Sequence, residues 1–548
     1  MNKHMKKMNK IFSLLALTGV FMFSSCIEET EPASGIATEK QVGESSIATE
    51  AMVMAMPAYC HTRMWSDRHN NFGYGSMMHV RDLQTGDCVM EFSADGYDNW
   101  FNKWTQNKYM GQDYFYAQYQ FLYYYRFMQA VNNVISAIDP ENCTDQQRAW
   151  YGSALAYRAM LYLDLARMYE FLPNDKTSNI NADGNDVAGL TVPIVRAGMS
   201  EAEARNNPRA PHAEMAKFIE EDLDEAEKYI GGMTEEATSG HILPDLACAY
   251  GLKARLYMWD GQYDKAKEYA RKAINTTART PMTQQQCMNT TTGFNVAGPW
   301  MWAAQQTATT STVTSGIVNW TSWVTNETDF GYAAPGGNCF FKIDRRFYER
   351  IGDTDFRKLM FKAPAGSPLE NQVVFLNATF KEKLPDYASL KFRPGNGNAS
   401  DHTVGAATAY PLMRVEEMYF IEAEAAAHLN AAEGKQLVET FMKTYRDPEY
   451  TCTVSATDDV VEEIVFQKRV ELWGEGQSFF DIKRLNYSVT RGYPGTNVTD
   501  ELARLNTNGR PAWMNWVIIM VEAESNEALV GMNNPDPSDL YTPWVQGQ

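Results

Sequence analysis

Five cysteine and histidine side chains lie close together near the start of the mature sequence and raise the question of metal binding. They are Cys60, His61, His69, His79 and Cys88. Thiolate and imidazole groups are the usual zinc ligands, but zinc modules place them at short, regular spacings. The spacings here match no such module. We therefore predict no metal site and interpret these side chains as satisfied polar groups of a loop-rich region.

The sequence lacks the short motifs that mark common enzyme chemistries. It contains no H-E-x-x-H, no G-x-S-x-G, no G-x-x-x-x-G-K-[ST] and no G-x-G-x-x-G. The 68 acidic residues offer many carboxylate pairs for a glycosidase, but the sequence does not give their separations. We predict a protein that is not an enzyme and has no cofactor, with a surface glycoside hydrolase as an alternative.

Aromatic side chains in polar surroundings favour a different chemistry, the binding of sugars. A sugar ring presents a flat C–H face that packs on an indole or phenol ring, and its hydroxyls need amide or charged partners. A ring that buries roughly 100 Å² gains about 2.5 kcal/mol, and association costs remove much of that. The candidates are Trp100 with Asn102, Trp320, Trp323 and Tyr332 for contact, and Arg81 as a partner for hydroxyls. For each aromatic the alternative is packing in the core, which we predict for Trp300 and Trp302.

The N-terminal segment has the features of a lipoprotein signal. Four lysines precede an apolar stretch at residues 11–23, which is shorter than the roughly 20 residues of a membrane-spanning helix. Ser24 and Ser25 lead into Cys26, and the segment resembles a bacterial lipobox in which this cysteine is acylated and begins the mature chain. The alternative is an ordinary secretory signal that is cleaved nearby.

Acidic residues follow that cysteine, and they outnumber basic residues in the whole chain, 68 to 49. Glu28, Glu29 and Glu31 resemble the signal that exports some Gram-negative lipoproteins to the outer face of the outer membrane; the alternative is a solvated tether. The net charge is −19, and removal of the four signal lysines leaves about −23. Such a surface repels phosphate backbones, so we predict no nucleic-acid partner. The seven other cysteines are scattered and indicate mostly buried thiols.

Most of the secondary structure expected around the candidate sugar-binding residues is helical. In RAWYGSALAYRAMLYLDLARMYE, apolar side chains recur at spacings of three and four, as on one helix face. In YGLKARLYMWDGQYDKAKEYARKAI, small and aromatic residues around Gly261 fall at the offsets of a tetratricopeptide (TPR) repeat; the alternative is a plain helical hairpin. Between about residues 280 and 409, glycine, proline, asparagine and threonine predict short strands and long loops.

Two C-terminal segments carry motifs of a known family. The first matches R-x-x-E-x-x-L-x-x-A-E-A, with the apolar position shifted by one, at Arg414, Glu417, Ile421, Glu422, Ala423, Glu424 and Ala425. The second matches E-R-R-x-E-L-x-x-E-G-x-R-x-F-D-L-x-R at Lys468, Arg469, Glu471, Leu472, Glu475, Gly476, Phe480, Asp481, Ile482 and Arg484, and departs from it at Gln467 and Ser478. With further segments in the same order upstream, nearly the whole mature chain resembles the SusD/RagB family of starch-utilisation-type surface lipoproteins.

The resemblance implies a mainly α, SusD-like fold in which TPR-like hairpins form a scaffold and an irregular region of loops and short strands carries the binding face. We expect a signal peptide at residues 1–25, a lipidated N-terminus and tether at 26–50, and one compact unit at 51–548. Within that unit we expect an N-terminal helical part at 51–280, a loop-rich ligand-binding region at 281–410 and a C-terminal helical part at 411–548. Charged motif residues such as Glu417, Glu422, Arg469 and Asp481 are interpreted as structural ion pairs.

The resemblance also implies a function. It predicts a lipid-anchored protein on the outer face of the outer membrane that captures oligo- or polysaccharide and delivers it to a SusC-like TonB-dependent transporter. The loops align by region only, so the family places sugar contacts before the first long helix and in the mid-chain loops without assigning each residue. A peptide- or other nutrient-binding relative on the same scaffold is the alternative.

Overall fold

Long helices form most of the structure, a computed structural model that describes residues 46–547 apart from residues 66, 92–99, 235–237 and 239. The predicted signal peptide, Cys26 and the acidic run lie outside the described residues. The helices of ten or more residues are Ser46–Tyr59 (α1), Tyr74–Leu83 (α2), Phe115–Ala137 (α3), Asp145–Tyr169 (α4), His212–Tyr229 (α5), Leu246–Trp259 (α6), Tyr263–Thr276 (α7), Val415–Leu429 (α8), Ala431–Tyr445 (α9) and Thr457–Glu471 (α10).

Short elements complete the described chain. The strands are Cys88–Met90 (β1), Leu190–Pro193 (β2), Arg209–Pro211 (β3), Trp302–Gln305 (β4), Phe341–Ile343 (β5) and Ala409–Met413 (β6). Short α-helices span Asn102–Gln106, Glu201–Ala204, Gln284–Cys287, Ser311–Thr314, Trp320–Val324, Arg345–Arg350, Ala378–Lys383, His402–Gly405, Ser478–Arg484 and Met520–Ser525. Turns of 3₁₀ helix span Ile230–Gly232, Phe356–Met360, Gly395–Gly397, Asp500–Leu502, Ala512–Met514 and Glu527–Leu529. The predicted mainly α class is confirmed.

The long helices pack in a continuous stack. Each of α3 to α9 contacts the next one in chain order, and α7 packs on α8 although the whole loop-rich region separates them in sequence. In the α6–α7 hairpin, Ala266, Ala270 and Ala273 have no exposed surface, so the two helices approach closely. Gly261 makes the turn with a φ of +71°, a conformation that favours glycine. The predicted hairpin is confirmed, and it continues across the insertion.

The loop-rich region is tied to the helical parts by paired strands. β1 pairs with β5 in an antiparallel ladder that sets Cys88 opposite Ile343. β4 pairs antiparallel with β6, the strand that leads directly into α8. Trp300 and Trp302 have no exposed surface, so their predicted burial in the core is confirmed, although only Trp302 lies in a strand. These pairings hold the loops against a rigid scaffold.

The family motif residues form a buried network of charges. Arg414 donates from Nε to Glu475 Oε2 at 2.9 Å and from Nη1 to Glu471 Oε1 at 3.1 Å. Glu471 Oε2 also accepts from Arg446 Nε at 2.6 Å and from Arg357 Nη1 at 3.3 Å. Burial alone would raise the pKa of Glu471, but Arg446 and Arg414 hold it well below its ordinary value. Because Arg357 belongs to the loop-rich region, the network joins that region to α8 and α10.

The other motif charges are structural as well. Glu417 accepts two hydrogen bonds from Arg255, and Glu422 forms an ion pair with Arg271. Arg469 forms an ion pair with Asp87, and Asp481 forms ion pairs with both Lys468 and Arg484. Each of these acids and bases therefore has a partner of opposite charge, as the sequence predicted.

The described cysteines are free thiols, and all except the partly exposed Cys143 are buried. Burial raises the pKa of the Cys60 and Cys88 thiols. Among the described residues, no helix is long and apolar enough to cross a membrane. Within the same residues, no group of three or more His, Cys, Asp or Glu side chains is arranged to hold a metal ion.

Candidate functional site

Four aromatic rings from distant parts of the chain form an aromatic stack that reaches the surface, with two stacked contacts and a tilted one between them. Trp323 stacks on Tyr332 with ring centroids 4.0 Å apart and an interplanar angle of 14°. The ring of Tyr332 lies 5.9 Å from that of His69, and its hydroxyl is hydrogen-bonded to His69 Nδ1. His69 in turn stacks on Trp100 at 4.9 Å and 22°. The stack begins in the core at Trp323, and its outer rings, His69 and Trp100, are partly exposed.

The chain around the helix Trp320–Val324 fixes the inner end of this stack. Asn319 Oδ1 accepts from the backbone N–H of Ser322 and caps that helix. Ser322 O accepts from the backbone N–H of Tyr332 at 2.8 Å. Gly331, with a φ of +89°, lies so close that a Cβ there would be 2.6 Å from Ser322 Oγ. A glycine is therefore required to bring Tyr332 against the helix and onto the face of Trp323.

The imidazole of His69, in the middle of the stack, has a pKa below its ordinary value. Burial lowers its pKa, and the positive charge of Arg63 lowers it further. The backbone carbonyl of His69 accepts from Trp323 Nε1 at 3.2 Å, which holds the loop in place. The oriented imidazole extends the flat face of Trp100, so the two rings together offer a flat platform, and Arg63 lies near enough to lower the pKa of His69.

The structure corrects the prediction that Trp320 and Trp323 expose their rings to a ligand, because both are completely buried. Trp320 packs edge-on against Phe392 at 4.7 Å. Trp323 packs edge-on against Phe101 at 4.7 Å as well as stacking on Tyr332. The predicted loop at these residues is a short capped helix whose polar neighbours are buried too. Both tryptophans are core residues that support the site from behind.

Arg81 and Asn102 are also corrected, since neither presents its side chain to solvent. Arg81 is completely buried and donates to Gly476 O at 2.8 Å, Tyr124 OH at 2.9 Å and Asp164 Oδ2 at 3.2 Å. Asn102 is only 2% exposed and begins the short helix Asn102–Gln106. Arg81 is a structural cation, and Asn102 is a buried residue in the first turn of the helix that follows Trp100.

Of the predicted contact residues, Trp100 is the one that is partly exposed, and Tyr332, 5% exposed, lies beneath the platform. His69 and Arg63 were not predicted as members of the site. His69 drew attention only as one of five scattered metal-ligand types, yet its position in the run WSDRHNN, among polar and aromatic residues, was a signal for a ligand-facing loop.

A second concave surface, a cleft of about 410 Å³, lies between α10, the helix Arg345–Arg350 and the loop at Ser488 to Thr490. Its two buried acids have structural roles. Asp87 forms a two-pronged ion pair with Arg469. Asp344 accepts from Tyr493 OH at 2.8 Å and caps the short helix, and burial raises its pKa to about 6. Both carboxyl groups are therefore engaged by neighbouring groups of the fold.

Two family profiles match this chain. A profile described as "Starch-binding associating with outer membrane" matches residues 75–258, and one described as "SusD family" matches residues 369–514. Together they match more than half of the chain and include both C-terminal motifs. The chain belongs to the SusD/RagB family. The sequence matches no curated protein.

Solved structures share the fold over almost their full length. A SusD-like carbohydrate-binding protein from Bacteroides vulgatus is 22% identical, with a TM-score of 0.64 over 92% of this chain and 98% of that one. A SusD superfamily protein from Bacteroides thetaiotaomicron is 16% identical, with a TM-score of 0.63 over 88% of this chain and 98% of that one. A laminarin-binding SusD-like protein is 16% identical, with a TM-score of 0.57 over the same shares.

Proposed function

We propose that this chain is a cell-surface lipoprotein that binds oligo- or polysaccharide without cleaving it. The observation that carries the proposal is the partly exposed Trp100–His69 platform, supported from the core by Tyr332 and Trp323. A rigid flat surface binds the C–H face of a sugar without having to be ordered first, which reduces the cost of binding. Arg63, beside the platform, supplies a donor for sugar hydroxyls. The binding of laminarin by one relative and the starch-binding description of the matched family profile support the same ligand class.

The test of this proposal is retention by polysaccharide in native gels. We expect at least one member of a panel of storage, cell-wall and host polysaccharides, including starch and laminarin, to slow the full-length protein. We also expect no shorter sugars to appear on prolonged incubation. Release of oligosaccharides would favour the hydrolase, and retention by no polysaccharide would leave a peptide or another nutrient as the ligand.

We further propose that the protein is anchored through Cys26 on the outer face of the outer membrane and delivers its ligand to a SusC-like TonB-dependent transporter. The lipobox resemblance supports the anchor, and the continuous helical stack offers a broad surface for a partner. Added protease should degrade the wild-type protein on intact cells, and Cys26→Ala should release it from the membrane fraction. Mild detergent should extract the wild type together with a barrel transporter; extraction always as a single chain would contradict the delivery role.

A further inference from the structure

Two exposed tyrosines, Tyr109 and Tyr114, form an aromatic surface separate from the platform. Tyr109 and Tyr114 are 43% and 42% exposed, the only aromatic side chains among the exposed large apolar residues of the described chain. Their ring centroids are 5.1 Å apart at an angle of 55°. Neither hydroxyl is hydrogen-bonded to another described residue. The pair therefore offers two apolar faces and two free hydroxyls to a molecule arriving from solvent.

Tyr109 is held outward by a strained and well-anchored backbone. Its φ of +61° is in the left-handed region, which is unusual for a bulky side chain and occurs where the surrounding structure enforces it. The anchors lie on both sides: Asn107 Nδ2 donates to Pro537 O at 2.6 Å, and the backbone N–H of Met110 donates to Ser538 Oγ at 2.8 Å. The C-terminal segment thus fixes the loop that presents the ring.

Two contacts between a cation and an aromatic ring, called bridges below, join residues next to the Trp100–His69 platform to the tyrosine pair or its neighbour. Arg68, the neighbour of His69, places its guanidinium 4.8 Å over the ring of Phe115, the neighbour of Tyr114. Lys103, on the short helix that follows Trp100, places Nζ 5.8 Å from the ring of Tyr109. Each bridge carries a cation, and cations donate hydrogen bonds to sugar hydroxyls. The two cations therefore lie between residues next to the platform and residues of the tyrosine pair.

We propose that Tyr109 and Tyr114 form a second sugar-contacting subsite, and that the ligand is an extended polysaccharide chain that occupies both the platform and this pair. The inference rests on the proposed function, because it extends the ligand bound at Trp100. The second subsite also sets the length of the ligand. A sugar chain long enough to cross Arg68 and Phe115 gains contacts that a disaccharide does not reach.

The test compares variants on the polysaccharide that retains the wild-type protein most strongly. The double variant Tyr109→Ala, Tyr114→Ala should weaken binding of that polymer about tenfold, as expected for losing a desolvated aromatic contact. Its melting temperature should change little, since both rings are exposed. Tyr109→Gly removes one ring while relieving the left-handed strain, so it should also weaken polymer binding without loss of stability. Ile180→Ala and Leu429→Ala, which shorten exposed apolar side chains on other elements, serve as matched controls and should bind as wild type.

The outcomes separate this inference from the proposed function. If Trp100→Ala weakens polymer binding and the tyrosine variants bind as wild type, the second subsite is refuted while the platform stands. Equal loss in the tyrosine variants and in the two controls also refutes it, because the effect would then be unspecific. If no polysaccharide in the panel retains the wild-type protein, the proposed function fails and the subsite fails with it.

Discussion

Replacing Glu471 by glutamine should lower the free energy of unfolding by about 3–5 kcal/mol, the usual cost of removing one partner from a buried ion pair. The substitution keeps the size of the side chain and removes one negative charge. Arg414, Arg446 and Arg357 all donate to that carboxylate inside the protein. Their positive charges would stay buried with less compensation, and the junction between the loop-rich region and the helical scaffold would loosen. Chemical denaturation of the two proteins measures the difference.

Glu462→Gln on the same helix is the matched control. Glu462 is 43% exposed and pairs with Arg350, which is 40% exposed, so this substitution should cost at most about 1 kcal/mol. Equal stabilities of Glu471→Gln and Glu462→Gln would contradict the structural role of the network. Folding lowers the pKa of Glu471, so its carboxylate contributes to folding stability at pH values above its ordinary pKa of 4.5. That contribution is lost as the pH falls further below this value.

Trp320→Ala should destabilise the fold by about 3–5 kcal/mol, the range for deleting a large aromatic side chain from a core. Its ring has no exposed surface and packs against Phe392 and Tyr410. The cavity would open directly behind the candidate site, beside the helix that also carries Trp323. A lower melting temperature is therefore the expected primary effect, and any loss of binding would follow from it.

Trp100→Ala provides the comparison with a partly exposed ring. We expect it to cost less than half as much stability as Trp320→Ala, because the ring of Trp100 is already partly exposed and that of Trp320 is completely buried. Equal melting temperatures for wild type and Trp320→Ala would show that Trp320 does not support the core and would reopen its assignment as a contact residue.

The helical scaffold was predictable because its signals are local. Apolar periodicity and the small residues around Gly261 lie within single stretches of sequence, and they specify helices and their hairpin wherever the stretch is placed. The structural role of the motif charges was predictable for a related reason: acids and bases beside apolar helix faces need partners when they are buried. The predicted domain boundaries and the lipid anchor stay predictions.

The burial of the mid-chain tryptophans was not predictable because it depends on distant segments. Polar neighbours of Trp320 suggested a solvent-facing loop, but those neighbours are buried and hydrogen-bonded: Asn319 caps the helix, and Thr321 Oγ1 is bonded to Thr408 Oγ1 at 2.9 Å. Trp323 is covered by Phe101, more than two hundred residues earlier in the chain. The partnership of His69 with Trp100 and Tyr332 likewise joins three segments that no local pattern relates.

The affinity of Trp100→Ala for the retaining polysaccharide tests the central claim most directly. Trp100 forms the outer face of the platform, so its truncation should cost about 1–3 kcal/mol of binding, or roughly a 5- to 150-fold weaker affinity. We predict that loss in a protein whose melting temperature stays close to that of the wild type. Wild-type affinity in a folded Trp100→Ala variant would contradict the account, because the glycan would then bind elsewhere on the molecule.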